Sequence, residues 1–469
     1  MPSLKTDLYS YQREDANRTL NWYGSGGRGF INVSQMGTGK TPGALAVGQE
    51  FKSVLITCPG RLMREWRKEI QTWCPNKTVG MAKKDGSRRF DDLLSGPDYF
   101  LVNYESFYVP RHREVLLEYP WDLAIFDEAH KLRNRKALQT EGVLALRALR
   151  DNIPMLTMTG SPLVNSPGDL YPLLTIVDQE VYPVQLWYNF IRKYTLFNEV
   201  VKHHKRQIII WGERNTRELK ERTDPFTAKR LRKDVLPWLP EKYHRNLILE
   251  MEKDHRRLYK QFLRDGAAMT QGGTLIRAQG KLPMITRLRQ LSLDPRILGF
   301  NIVGTKTKVF MELVHDYCVK GGRKIVAFST FEEYISLLSQ DLHKAGVNHV
   351  VYTGQVDPDT AFENKEKFQN DPECMLFLGT TQSAGVGLTL TAASDVVHLD
   401  KWWTQDAMDQ ASDRCCRIGQ KNAVQVISLI NEDSIDEVVQ NSNQRKEKMA
   451  DSFTDQGVIN AVVEYLKDV

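Results

Sequence analysis

The sequence has little of what would mark an extracellular, metal-stapled or membrane protein. Only six of its 469 residues are cysteine. Cys58, Cys74, Cys318, Cys374, Cys415 and Cys416 show no Cys-x-x-Cys or Cys/His spacing that builds a tetrahedral zinc site, and they are too sparse for a disulfide framework. No basic start leads into an apolar signal core, and no apolar run approaches about eighteen residues. The expected setting is therefore reducing, cytoplasmic or at a nucleoid or nucleus, with no membrane partner. Low-complexity segments are also missing. Charge of one sign is not in large excess: 64 basic against 58 acidic residues leave +6, compatible with a polyanionic partner without demanding one. What remains is ordinary globular composition, 41% hydrophobic and 26% charged. A chain this long exceeds what one hydrophobic core supports, so two or three domains are expected.

Short apolar runs at 30–33, 54–57, 99–102, 123–126 and 155–157 alternate with helix-length stretches, the pattern of a parallel α/β sheet. The pattern recurs at 325–328, 350–352, 375–378, 396–399 and 424–429, predicting a second, similar lobe. Leu62, Trp66, Ile70 and Trp73 fall on one helical face, and Phe331, Tyr334, Leu338 and Leu342 mark another helix, closed by Gly346. The stretch 182–284 breaks the rhythm; being charge-rich and helix-prone, it reads as helical insertions around a linker. The expected division is 1–240 for a first lobe and 241–469 for the linker and a second.

After the first strand comes Ser34-Gln35-Met36-Gly37-Thr38-Gly39-Lys40-Thr41, close to a Walker A loop whose backbone N–H groups cradle phosphates. Gly37, Thr38 and Gly39 would form the turn, Lys40 would neutralise the outer phosphates and Thr41 would hold Mg2+, with the following helix aiming its positive end at the anion. Pro42 is tolerated in that first turn because its missing N–H has no helical partner. Ser34 stands where the full pattern has its first glycine. Asp127-Glu128-Ala129-His130 directly follows the strand at 123–126, so its carboxylates belong at the strand's C-terminal end. There Asp127 would hold magnesium and Glu128 would orient the attacking water and take its proton. The plain alternatives are a glycine-rich turn and an acidic loop. Their order along the chain favours ATP hydrolysis with Mg2+.

These residues resemble a helicase superfamily two ATPase, specifically the Swi/Snf-related branch of double-stranded DNA translocases, and the likeness covers nearly the whole chain. Leu8, Tyr11 and Gln12 are similar to the motif whose glutamine reads adenine; Pro59, Trp66 and Glu69, then Asn103, Tyr104 and Glu105, resemble the next two motifs. Thr159-Gly160-Ser161-Pro162-Leu163 with Asn165 resembles the motif that couples hydrolysis to lobe movement. Arg230-Leu231-Arg232-Lys233-Asp234-Val235-Leu236 with Leu239-Pro240-Glu241-Lys242 is similar to the branch's helical protrusion and linker, and Leu288-Arg289-Gln290-Leu291 with Asp294-Pro295 to its second protrusion. Gly385 to Ala393 resembles motif V. Trp402-Trp403, Gln410-Ala411, Asp413-Arg414, Arg417 and Ile418-Gly419-Gln420-Lys421 resemble motif VI.

The resemblance implies two RecA-like lobes, a DNA-dependent ATPase moving along duplex DNA without routine strand separation, and Arg414 and Arg417 as arginine fingers. It implies coupling roles for His130, Thr159, Ser161, Gly385, Gly387 and Gln410, and nucleic-acid contacts at Pro59, Asn103, Tyr104, Thr380, Thr381 and Trp403. The expected partner is double-stranded DNA held by its backbone, with a monomeric state and a recruiting protein as further expectations. Basic groups at Lys83, Lys84, Arg88 and Arg89, at 202–206, and at Lys229, Arg230, Arg232 and Lys233 suit phosphate contacts, though each alone also suits a solvated face. The alternatives are an annealing or fork-remodelling helicase, a strand-separating DNA or RNA helicase, and a static DNA-binding scaffold with a relic ATP site. Three positions depart from the family pattern. Cys415 and Cys416 fill the places between the two arginines, implying sensitivity to oxidation; Gln382 stands where arginine is usual; and no arginine follows Gly354.

Overall fold

The structure, a computed structural model, describes residues 7–83, 89–160, 167–202, 205–384, 388–402 and 405–448. The chain divides into two compact units, Met1–Pro237 and Trp238–Val469. Each is built on its own parallel sheet.

The first unit contains β1 (Gly29–Asn32), β2 (Val54–Cys58), β3 (Val79–Met81), β4 (Tyr99–Asn103), β5 (Leu123–Asp127), β6 (Met155–Met158), β7 (Thr195–Lys202), β8 (Lys205–Glu213) and β9 (Thr227–Ala228). Seven form a sheet in the order β3-β4-β2-β5-β6-β1-β9, parallel at every pairing. The central strands are buried along their length because helices cover both faces, which is why they read as unbroken apolar runs. Three helices position the site: α1 (Ser10–Gly24), α2 (Lys40–Gly48) and α3 (Met63–Trp73). In α3 the predicted apolar face goes inward, with Trp66 and Ile70 buried and Met63 added to it.

In the second unit β10 (Lys242–Leu249), a small hairpin β11 (Ala267–Met269) and β12 (Leu275–Arg277), and then β13 (Ile325–Ser329), β14 (His349–Tyr352), β15 (Leu376–Thr380), β16 (Asp395–His398) and β17 (Val424–Asn431) follow. The sheet runs β10-β17-β16-β13-β15-β14, again all parallel. The helix Glu332–Lys344 buries Tyr334, Leu338 and Leu342, and Gly346, at φ +69°, turns the chain out of it as the sequence predicts.

The stretch 182–284 contains the expected helices, Trp187–Tyr194, Thr216–Thr223 and Lys253–Asp265 among them, but strands as well. β7 and β8 make a separate antiparallel ribbon, and β10 is the outer strand of the second sheet. Most of β10 is exposed, so an edge strand there carries Lys242, His244 and Arg245 and lacks the apolar signal of its neighbours. The two segments similar to helical protrusions take different forms. Residues 232–235 form one helical turn beside β9, and Leu288, Arg289, Gln290 and Leu291 are buried in the helix Lys281–Leu293, packed into the second unit's core.

One buried group ties the second unit's stability to pH. His398, at the end of β16, lies within 2.8 Å of Ser412 Oγ, whose own hydrogen goes to the Met408 carbonyl, so the imidazole Nε2–H is the donor. Burial first, then Lys401, His244 and Lys242, push its pKa from 6.5 to about 3. A folded value below the unfolded one means that the unfolded chain takes up a proton first, so stability is kept above about pH 6.5 and lost as pH falls towards 3. The expected loss between pH 7 and pH 5 is about 2 kcal/mol. Urea titrations at the two values check this, and His398→Gln, which keeps a donor without the charge, should flatten the difference.

Candidate nucleotide-binding site

The predicted phosphate loop sits where β1 passes into α2. Gly37 and Gly39 both take left-handed backbone, φ +81° and +69°, which the turn requires and a β-carbon would strain. Gly39 is the N-cap of α2, leaving the free N–H groups of that helix, with Lys40 and Thr41 in its first turn, at the loop's mouth. The Lys40 ammonium donates to the carbonyls of Ser34 (2.7 Å) and Gln35 (3.1 Å). From α1, Tyr11 donates to the Thr38 carbonyl at 2.8 Å, and the Gln12 amide to the carbonyls of Gly39 (3.1 Å) and Thr38 (3.4 Å). Gln12 is buried and its amide oxygen accepts from the Tyr9 N–H. Its visible role is thus to brace the loop. Tyr11, Gln12, Thr38, Gly39 and Lys40 also line a cavity of about 20 Å³ between α1 and α2.

The segment 228–232 runs along the other side of the loop. Val33 N–H donates to Ala228 O and Gln35 N–H to Arg230 O; in return Arg230 N–H reaches Ser34 Oγ and Arg232 N–H reaches Gln35 Oε1. Arg230 also grips Asp15 of α1 at 2.6 Å and Glu14 at 3.1 Å. Ser34, in place of a glycine, therefore serves as an acceptor for this strap. Arg230 thus clamps α1 to the strap within the first unit.

Asp127 and Glu128 project from the C-terminal end of β5. Asp127 is held on three sides: Oδ2 accepts the Trp66 indole N–H at 2.9 Å, Oδ1 accepts the Glu128 N–H at 2.9 Å, and its backbone carbonyl accepts the Tyr104 hydroxyl at 2.6 Å. Burial, and next the neighbouring Glu128, raise its pKa from 3.8 to about 6, against the pull of Trp66 and Lys40. A divalent cation would stabilise a carboxylate so placed, and the hard oxygen set of Asp127 and Thr41 fits Mg2+. Glu128 is a non-glycine residue at φ 51°, a left-handed conformation that costs about 1 kcal/mol or more. His130 Nδ1 lies 3.3 Å from Glu128 Oε2 and 3.4 Å from Thr159 Oγ1, so the expected coupling residues His130 and Thr159 form one chain with the catalytic candidate.

Other expectations fare differently. Pro59 and Asn103 end the paired strands β2 and β4, and Tyr104 follows Asn103. The Asn103 amide oxygen is taken by Arg89 at 2.7 Å; Arg89, buried and also bonded to Ser106 and Lys83, is a structural residue rather than part of a basic surface. Thr380 and Thr381 close β15 and are buried, the Thr380 hydroxyl against Ser383. Ser161, Gly385, Gly387 and Trp403, with Lys84 and Arg88, lie outside the described residues.

In the second unit Gln420 knits the motif V and motif VI stretches together, its amide donating to the carbonyls of Ala393 (2.7 Å), Cys415 (3.1 Å) and Thr391 (3.2 Å). Arg417 is half-buried, with a guanidinium N–H on Thr389 Oγ1 at 3.2 Å, whereas Arg414 is fully buried and its carbonyl accepts from Leu390 N–H. Gln410 lies in the helix Gln405–Ser412. Cys415 and Cys416 are buried like the other four thiols, and burial raises the Cys415 pKa, so the oxidation sensitivity expected from the sequence has no accessible sulfur behind it.

This arrangement has counterparts. A model of the SNF2-related domain matches residues 11–297, and one of the helicase conserved C-terminal domain matches residues 305–419. The chain belongs to the SNF2-related family. Relatives of this SNF2-related chain include an uncharacterized ATP-dependent helicase of Mycoplasma genitalium, 27% identical over 94% of this chain and 42% of its own length. Another is the ATP-dependent DNA helicase DDM1 of Arabidopsis thaliana, 26% identical over 92% and 59%. The chain thus spans about half the length of such relatives. The SWI2/SNF2 ATPase core of Sulfolobus solfataricus, solved in complex with dsDNA, is similar at 23% identity with a TM-score of 0.45, covering 100% of this chain and 98% of that one.

Trp66 and Tyr104 were legible in the sequence as motif residues, but not as donors to Asp127. The only available signal was that an indole N–H or a phenol buried beside an acidic strand end must find an acceptor.

Proposed function

We propose that this chain is a DNA-dependent ATPase that moves along double-stranded DNA and uses the motion to remodel DNA or nucleoprotein. The observation that carries this reading is the convergence, in an SNF2-related chain, of a phosphate loop at the head of α2 with the Asp127–Glu128 pair at the end of β5. In the proposed reaction, Lys40 and the α2 N-terminus hold the phosphates; Thr41 and Asp127 would hold Mg2+, which would supply charge neutralisation. Glu128 aligns water for in-line attack and accepts its proton, with His130 fixing the carboxylate's orientation. Arg417 is the proposed arginine finger, its partial exposure favouring it over the buried Arg414. ATP then favours a closed state and hydrolysis an open one, and alternate grip on the DNA backbone advances the chain.

The test is ATPase stimulation by duplex DNA, single-stranded DNA, forked DNA and RNA at matched salt, beside triplex-displacement and strand-displacement assays. Duplex stimulation with triplex displacement is expected. Strand displacement without triplex displacement would instead establish an unwinding helicase, preferential action on forks a fork remodeller, and DNA binding without turnover a static scaffold. A monomer that works with a recruiting partner fits the same reading.

A further inference from the structure

We infer that Trp66 and Tyr104 are positioning residues that carry the state of the first unit's nucleic-acid face to Asp127. The inference rests on the function proposed above. Strands β2 and β4 are neighbours in register, with Cys58 opposite Asn103. Each runs at its C-terminal end to a residue for which the family resemblance implies a nucleic-acid contact, Pro59 directly after β2, a few residues before α3, and Asn103 at the end of β4. From each segment one side chain returns to Asp127. Trp66, on the inner face of α3, donates its indole N–H to the carboxylate at 2.9 Å. Tyr104, directly after Asn103, donates its hydroxyl to the backbone carbonyl of the same residue at 2.6 Å.

Both side chains are buried, Trp66 to 2% exposure and Tyr104 to 1%, so neither can touch a phosphate itself. What they can do is transmit. The carboxylate's second oxygen is held locally by Glu128 N–H, so its rotation about the side-chain bond is set by the remote donor on α3. Tyr104 sets the backbone from which both Asp127 and Glu128 leave the strand. A shift of α3, or of the turn at Asn103, when DNA binds therefore reorients the magnesium ligand and the water-aligning carboxylate together. This is a physical link between the two sites that does not require any residue to contact both.

The experiment compares this chain with its Trp66→Phe and Tyr104→Phe variants, which remove one donor each; Tyr104→Phe keeps the ring, whereas Trp66→Phe exchanges the indole for a smaller phenyl. Duplex affinity, ATPase with and without duplex, and the magnesium concentration for half-maximal rate are measured. The expected result is unchanged duplex affinity, a rise in that magnesium concentration, and a loss of stimulation of about tenfold in Trp66→Phe, the size of one hydrogen bond to a charged group, and of about fivefold in Tyr104→Phe, whose acceptor is a neutral carbonyl. The double variant should lose no more than the sum of both, and less if the donors act on one element. Unchanged stimulation in Tyr104→Phe, or a loss of duplex affinity in either variant, overturns the inference. If Trp66→Phe melts far below wild type, Tyr104→Phe alone decides. If wild type is not stimulated by any nucleic acid, the proposed function has failed instead; an unshifted magnesium requirement would then overturn the positioning role as well.

Discussion

Glu128→Gln should bind ATP as wild type does and turn it over at least about a thousandfold more slowly, the upper range for removing a positioned general base. The substitution is isosteric, so the left-handed backbone at φ 51° is kept, and the amide oxygen can still face His130. What is lost is the capacity to accept the water's proton and the negative charge that orders it. ATP affinity by equilibrium titration and steady-state hydrolysis separate the two effects. Affinity retained with turnover lost gives the expected pattern, whereas normal hydrolysis would remove Glu128 from the mechanism. Because Glu128 also disfavours ionisation of Asp127, the variant should hold magnesium no more weakly than wild type.

Arg417→Ala should lower duplex-stimulated turnover by a factor on the order of a thousand, as expected for an arginine finger, with unstimulated hydrolysis changed far less. Arg417 is anchored by Thr389 at 3.2 Å on a segment stapled by Gln420, so the truncation removes a charge without opening a core. Arg414→Ala, by contrast, removes a fully buried side chain and should first appear as a loss of stability in a melting curve. Stimulation by duplex that survives Arg417→Ala intact would disprove the finger role.

The parallel sheets were legible in the sequence because both of their faces are covered. Residues 54–57, 123–126 and 325–328 are continuous apolar runs for that reason, and Gly346 ends its helix by a rule local to the chain. What escaped was decided elsewhere. β10 is a strand because β17 offers it an edge, not because 242–249 alternates in polarity. Arg89 and Arg230 look like members of basic patches until Asn103, Ser106 and Asp15 are brought to them from distant parts of the chain. In the same way the phosphate loop and the Asp127–Glu128 pair could be read from spacing and order, while the bonds from Trp66 and Tyr104 depend on how β2, β4 and β5 align.

The strap at 228–232 has a mechanical side. It is the last part of the first unit to be laid down, stitched to the phosphate loop at Val33, Ser34 and Gln35, and the unit ends only a few residues later at Pro237. Four backbone-donated hydrogen bonds therefore join residues 228–232 to the loop within the first unit. A displacement of residues 228–232 would reach Ser34 and Gln35, whose carbonyls hold Lys40, through those bonds. A phosphate that reshaped the loop would in turn shift the strap through the same seam.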